Sequence, residues 1–179
     1  MSVSTEQGTF TIDPAHSNVE FLVRHMMISK VRGRIAVRSG AIALGAGNLP
    51  ASVEVELDPA SIDTREPQRD AHLKSADFLD VERFPAMSFR STAISGSEGN
   101  FTMEGQIAIH GVTRSIAFVG SFDGRLRDPW GNDRVAYSAS GKLSRKDFGL
   151  VWNQALEAGG VMVGDEVELH VTVEATRPG

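Results

Sequence analysis

Polar and apolar residues alternate with period two along most of this chain, the pattern of strands that bury one face only. Thr9-Phe-Thr-Ile-Asp13 opens the pattern, and Asp13-Pro14 marks a turn. From Asn18, Val19, Phe21 and Val23 point one way while Glu20, Leu22 and Arg24 point the other. The alternation breaks at His25-Met-Met-Ile-Ser29 and restarts at Gly33, with Ile35 and Val37 inward. Val53, Val55 and Leu57 repeat it, and Met87-Ser-Phe-Arg-Ser-Thr92 follows further on. Phe101, Met103, Gly105, Ile107 and Ile109 form one face of a long strand; Ile116, Phe118, Gly120 and Phe122 form the next. Tyr137, Ala139, Gly141 and Leu143 come after the turn at Asp128–Asp133, and Val167, Leu169, Val171 and Val173 close the series. About eight long strands with short connections indicate an antiparallel barrel or sandwich. The barrel is preferred, because closure removes the exposed edges that long strands leave open.

One stretch departs from the pattern. Ser61 to Phe89 is charged from Asp63 to Lys74, then apolar at Phe78, Leu79, Val81 and Phe84. Pro67 suits the first turn of a helix, where its missing N–H is not needed. Pro85 cannot donate to a ladder and belongs where the next strand begins. The segment is predicted as a short helical insertion that caps one end of the barrel.

The inward glycines at 105, 120 and 141 have two readings. They are bulges or corner bends, or they leave room for a guest. The inward Phe and Met residues are likewise either plain core or an adaptable lining for an irregular apolar ligand.

At 179 residues the chain suits one domain, expected over 9–176 after a short tail at 1–8. A net charge of -5 argues against nucleic acid as partner. There is no cysteine, hence no disulfide framework and no thiol nucleophile. Met1 to Gly8 lacks the basic and apolar regions of a signal peptide, and no apolar run approaches the roughly 20 residues of a membrane span. The expectation is a soluble, cytoplasmic protein without an integral membrane segment.

Candidate chemistry is sparse. Asp13, His16 and Ser17 co-occur, but a triad is recognised by geometry and no G-x-S-x-G elbow is present; turn hydrogen bonding is the expected role. His16, His25, His72, His110 and His170 show no zinc-site spacing, so neither a metal nor a catalytic site is expected. Arg69, Asp70 and His72 lie on the capping insertion. They either meet a ligand's polar head, Arg through its planar fork, or fix the helix by pairing with loop backbone. Arg145, Lys146 and Asp147 carry the same two readings.

Several blocks together resemble the YceI-like family of polyisoprenoid-binding, lipocalin-like proteins. They include Ile12-Asp-Pro-Ala-His-Ser17, Phe21-Leu-Val-Arg-His-Met-Met-Ile-Ser-Lys-Val-Arg-Gly33, Arg69-Asp-Ala-His-Leu-Lys-Ser-Ala-Asp-Phe-Leu-Asp80, Phe84-Pro-Ala-Met-Ser-Phe89, Ile109-His-Gly-Val-Thr-Arg114, Arg145-Lys-Asp-Phe-Gly-Leu-Val-Trp-Asn153 and Val163-Gly-Asp-Glu-Val167. The blocks fall in family order from Phe10 to Ala175. Phe10 stands where the family often has Trp, and Arg134-Val-Ala-Tyr137 replaces the usual Gly-Phe pair. The resemblance implies an extended eight-stranded antiparallel barrel whose apolar interior takes a long isoprenoid lipid. Many members are exported; this chain is expected to be of the unexported kind.

On that reading the protein binds a polyprenyl or quinone-like chain and carries, stores or sequesters it. It needs no cofactor beyond the bound lipid, and a homodimer is admitted. Phe21, Val23, Phe89, Phe101, Ile107, Phe118 and Tyr137 would line the interior. Met26, Met27, Phe78, Phe84 and Trp152 would guard the mouth, and Arg69, Asp70 and His72 would face the head group. The rivals are a lipid-modifying enzyme using Asp70 or His72, and a packed barrel that acts through its outer surface.

Overall fold

The computed structural model describes residues 8–157 and 159–179. The expected tail therefore lies outside the described residues, apart from Gly8. Among these residues nine strands form one antiparallel sheet: β1 (Thr9–Ile12), β2 (Asn18–His25), β3 (Ser29–Leu44), β4 (Pro50–Asp63), β5 (Met87–Ser97), β6 (Asn100–Ile109), β7 (Val112–Arg127), β8 (Asp133–Ser144) and β9 (Val163–Arg177). From β4 to β9 each strand pairs with the next; β9 pairs with β2, β2 with β3, and β3 returns to β4. The ring of β2 to β9 is thus closed. Strand β1 pairs with both β3 and β9 beyond the end of β2. In effect β2 continues β1 after the short turn at Pro14–His16.

Among the described residues one α-helix, α1, runs Pro67–Lys74 within the 61–89 stretch. Strand β4 extends to Asp63 and β5 starts at Met87, so the excursion itself is 64–86. Glu66 caps the helix, its carboxylate accepting from the N–H groups of Gln68 and Arg69 at 3.3 and 2.5 Å, with Pro67 in the first turn as predicted. The helix and the 145–162 segment stand at the same end of the barrel as the β2–β3 and β6–β7 hairpins.

The inward parity expected for β2, β6 and β8 holds. In β3 the register shifts between Val37 and Ser39, so Ile42 and Leu44 face inward where simple alternation points them out. A bulge is one extra residue and flips every later side chain to the other face. At the end away from α1, Phe10, Leu44, Val135 and Ala175 are fully buried and close the barrel. The guanidinium groups of Arg125 and Arg177 lie over the Phe10 ring, 5.5 and 4.9 Å from its centre.

Candidate functional site

Between that closed end and α1 the barrel holds an apolar cavity of about 330 Å³, within the range of small-molecule sites. Its wall comes from all eight strands of the ring. Phe21, Val23, Phe89, Phe101, Ile107, Phe118 and Tyr137 line it as expected positions, joined by Ile42, Val53, Met103 and Val171. Tyr137 sits deep; its hydroxyl donates to the Asn48 carbonyl at 2.6 Å, and its ring meets Phe101 and Phe122 edge-on.

Gly105 stands opposite the register shift between Ser91 and Ala93, Gly120 and Gly141 lie in regular pairing, and none of the three leaves open room beside it. A Cβ at Gly105 would strike the Phe89 ring, at Gly120 the Phe101 ring, and at Gly141 the Phe118 ring; at Gly33 it would strike Phe21. In three of these pairs glycine and phenylalanine are direct cross-strand partners: Phe21 with Gly33, Phe101 with Gly120, Phe118 with Gly141. Each missing Cβ lets a ring lie flat against the wall. The lumen between the rings stays clear because the aromatic mass is laid along its sides.

The α1 end carries the polar groups. Arg69 and His72 reach the cavity with Leu73, Phe78 and Trp152. His72, Phe78 and Trp152 form one aromatic cluster, with ring centres 4.7 to 5.3 Å apart. The His72 Nε2 is 2.8 Å from the Asp77 carboxylate. Arg69 is largely committed to the loop before its own helix. Its Nε donates to Thr64 Oγ1 and its Nη2 to the Thr64 carbonyl, both at 2.8 Å. Asp70 accepts from the Thr64 N–H and hydroxyl at 2.8 and 2.5 Å.

Four expected contacts lie outside the cavity lining. Asp70 faces Thr64, because its carboxylate is needed to fix the turn into α1. Phe84 packs on His110 and Gly111 and under Arg83; the chain has already turned back toward β5 there. Met26 and Met27 form the outer tip of the β2–β3 hairpin and are 41 and 49% exposed.

Arg145 is 3% exposed, although it begins a basic run. Its Nε donates to the Gly164 carbonyl at 2.8 Å, its Nη1 to Leu150 and Trp152 at 2.6 and 2.8 Å, and its Nη2 to Val163 at 3.2 Å. Burial pulls its pKa down and Asp165 opposes the fall. One buried guanidinium thus pins the 150–164 segment across the barrel end. Of the two readings the sequence left for Arg145, pairing with loop backbone is the one the structure shows.

Asp13, His16 and Ser17 do not assemble a triad. His16 Nδ1 is 2.8 Å from Asp13 Oδ2, while Ser17 Oγ bonds the Glu174 backbone. Asp13 also receives Arg134, which bridges to Asp128 and Glu174. The five histidines are dispersed, and among the described residues no metal-holding cluster of His, Asp or Glu forms.

Burial pushes the Tyr137 phenol up to about 12, against the opposing charge of Arg125. The unfolded chain releases this proton near pH 10, so the folded state holds it longer. The stability it contributes is complete below about pH 10 and is lost as pH rises toward 12. A shift of about two units corresponds to roughly 3 kcal/mol. Alkaline denaturation monitored by circular dichroism should show that loss, and Tyr137→Phe should flatten it.

Comparison with known proteins agrees with this architecture. The sequence model of the YceI-like domain matches residues 10–175. A UPF0312 protein of Staphylococcus aureus is 33% identical over 167 residues, covering 92% of this chain and 95% of that one. The Campylobacter jejuni YceI crystal structure superposes with a TM-score of 0.72 at 25% identity, over 87% of this chain and 90% of the other. A polyisoprenoid binding domain from Saccharophagus degradans, implicated in plant cell wall breakdown, shares the fold with a TM-score of 0.67 at 12% identity, over 94 and 98% of the two chains.

Proposed function

The chain belongs to the YceI-like family, and on that premise we propose that it binds a long isoprenoid lipid in the barrel and carries, stores or sequesters it. The observation that carries the proposal is the continuous apolar cavity reaching from Tyr137 to Trp152. A polyprenyl or isoprenoid-quinone-like chain fits its chemistry. Each buried CH₂ contributes about 0.8 kcal/mol, so ten carbons supply roughly 8 kcal/mol gross, reduced by the costs of association and ordering. Affinity then scales with chain length, and Arg69 and His72 at the mouth select among polar heads. The Saccharophagus domain, described as polyisoprenoid binding, supports this choice of ligand.

The packed-barrel reading draws on the phenylalanine rings that occupy all four glycine positions. The lumen left between those rings favours a guest instead. For an enzyme, Asp70 is spent on Thr64, which leaves His72, at the cavity beside Asp77, as the remaining acid or base of that reading.

Organic extraction of purified protein followed by mass spectrometry should yield lipid with isoprene mass increments. Delipidated protein should take up polyprenol. In a Trp130→Phe variant the remaining Trp152 emission should then shift to the blue and saturate, since Trp152 lines the mouth and Trp130 is 79% exposed in a distant turn. In Trp152→Phe the signal should stay flat. No extractable lipid together with no uptake would establish the packed barrel, and chemical turnover of the lipid would establish the enzyme.

A further inference from the structure

The β2–β3 hairpin is built against its own backbone preference. Ile28 N–H donates to the His25 carbonyl at 3.3 Å, closing a two-residue turn with Met26 and Met27 both left-handed, at φ 50° and 64°. Such turns favour Asn-Gly or Asp-Gly, because a side chain at positive φ is strained. Here two methionines hold those positions, followed by Ile28, which is 86% exposed. Strain joined to exposed apolar bulk points to what the side chains touch outside the fold.

The tip does not stand alone. Met26 N–H donates to the Met162 carbonyl at 2.8 Å, and Met27 lies against Gly160. This joins the hairpin to the 150–162 segment, where Val151 is also exposed. The neighbours of these outward residues face the opposite way: His25, Trp152 and Met162 line the cavity. Apolar surface therefore continues from the lumen over the rim. Behind the tip the chain itself is basic, with Arg38 paired to Glu56 and Asp58 on the neighbouring strand. Residues 21–53 contain Arg24, Lys30, Arg32, Arg34 and Arg38 and no Asp or Glu, in a chain of net charge -5. Arg24 donates to the Met27 carbonyl at 3.3 Å. Lys30 and Arg32 reach Glu168 and Glu20 on neighbouring strands, both at 2.9 Å, yet remain largely exposed.

From this we infer that the open end docks on an anionic bilayer surface. Met26, Met27, Ile28 and Val151 enter the boundary between head groups and acyl chains, and the basic hairpin sits among the lipid phosphates. An apolar tip with a basic flank is the composition that binds such an interface. The inference rests on the lipid-binding reading for its purpose: an isoprenoid chain would pass between bilayer and lumen along apolar surface without crossing water.

Flotation of the full chain with phosphatidylglycerol-containing and with pure phosphatidylcholine vesicles tests it. Association with the anionic vesicles is expected, weaker with phosphatidylcholine and weakened by added salt. Ile28→Asp with Val151→Asp should lower it about tenfold, while polyprenol uptake from detergent micelles stays at the parent level. Arg32→Glu with Arg34→Glu, which spares the tip, should remove the preference for anionic vesicles. Trp130→Ser, at the opposite end, should change nothing. Uptake that fails in every form while docking persists would sink the lipid-binding reading alone. Docking is overturned if the parent chain does not float, if the tip variants float like it, or if Trp130→Ser abolishes flotation. It is also overturned if the tip variants merely split a dimer of this chain that shows no vesicle association.

Discussion

Arg145→Met should cost about 3–5 kcal/mol of unfolding free energy, because four backbone carbonyls share the one buried guanidinium as donor. The substitution keeps the apolar stem of the side chain and deletes the guanidinium with its donors. The carbonyls of Leu150, Trp152, Val163 and Gly164 then lose their shared partner, and each buried acceptor left unmatched costs about 1–3 kcal/mol. Part of that is recovered because water can reach the loop from the rim, which sets the total below the sum. Asn153, through the Val163 carbonyl and N–H at 2.7 and 3.0 Å, and the Met26 N–H, through the Met162 carbonyl at 2.8 Å, would still tie the segment. Lysine cannot substitute, since a point charge lacks the fork that reaches three directions. Thermal denaturation should therefore show Arg145→Lys close to Arg145→Met. Faster amide exchange confined to 150–164 should accompany it. Loss spread evenly over the barrel would mean that Arg145 holds something other than this segment.

Gly120→Val should act on the lumen as much as on stability. A Cβ at that position falls 2.5 Å from the Phe101 ring, so the ring must leave the wall and enter the cavity. Overpacking of this kind typically costs about 1–3 kcal/mol. Polyprenol affinity should drop by about tenfold or more, because the displaced ring occupies volume that the chain needs, and 1.4 kcal/mol is already a factor of ten. Adding Phe101→Leu shortens the colliding side chain and should restore most of the affinity, measured by titration of the Trp152 signal. An affinity unchanged by Gly120→Val would place the bound chain away from β6 and β7.

The architecture was legible because period-two alternation is a local signal, and eight strands supply it repeatedly. The helix was legible from Pro67 and from the change of pattern around it. The deep lining was also readable, since parity places Phe21, Phe101, Ile107 and Phe118 on one face. Parity fails after a bulge, which is why Ile42 lay hidden in β3. The glycines were misread because the partner that fills each one lies across a strand pair, and register is not written in either strand alone. Phe84 and Asp70 were assigned to the ligand on their position in the capping segment. Which way a short irregular loop turns depends on bonds such as those from Thr64 to Asp70, and a single sequence does not display them. For Arg145 the sequence left two readings, a ligand's head or loop backbone, and the choice between them shows only once its four carbonyl partners are seen converging on it.

The ring closes between β2, at residues 18–25, and β9, at residues 163–177. During synthesis the N-terminal hairpin therefore waits for nearly the whole chain before its second edge is covered. Hairpins β5–β6 and β6–β7 can form as they emerge, but their phenylalanine faces stay open to water until the last strand arrives. Non-local pairing of this sort makes for slow folding, and the interval leaves aromatic faces exposed to other chains. A nascent barrel of this topology is therefore open to aggregation until the last strand zips in.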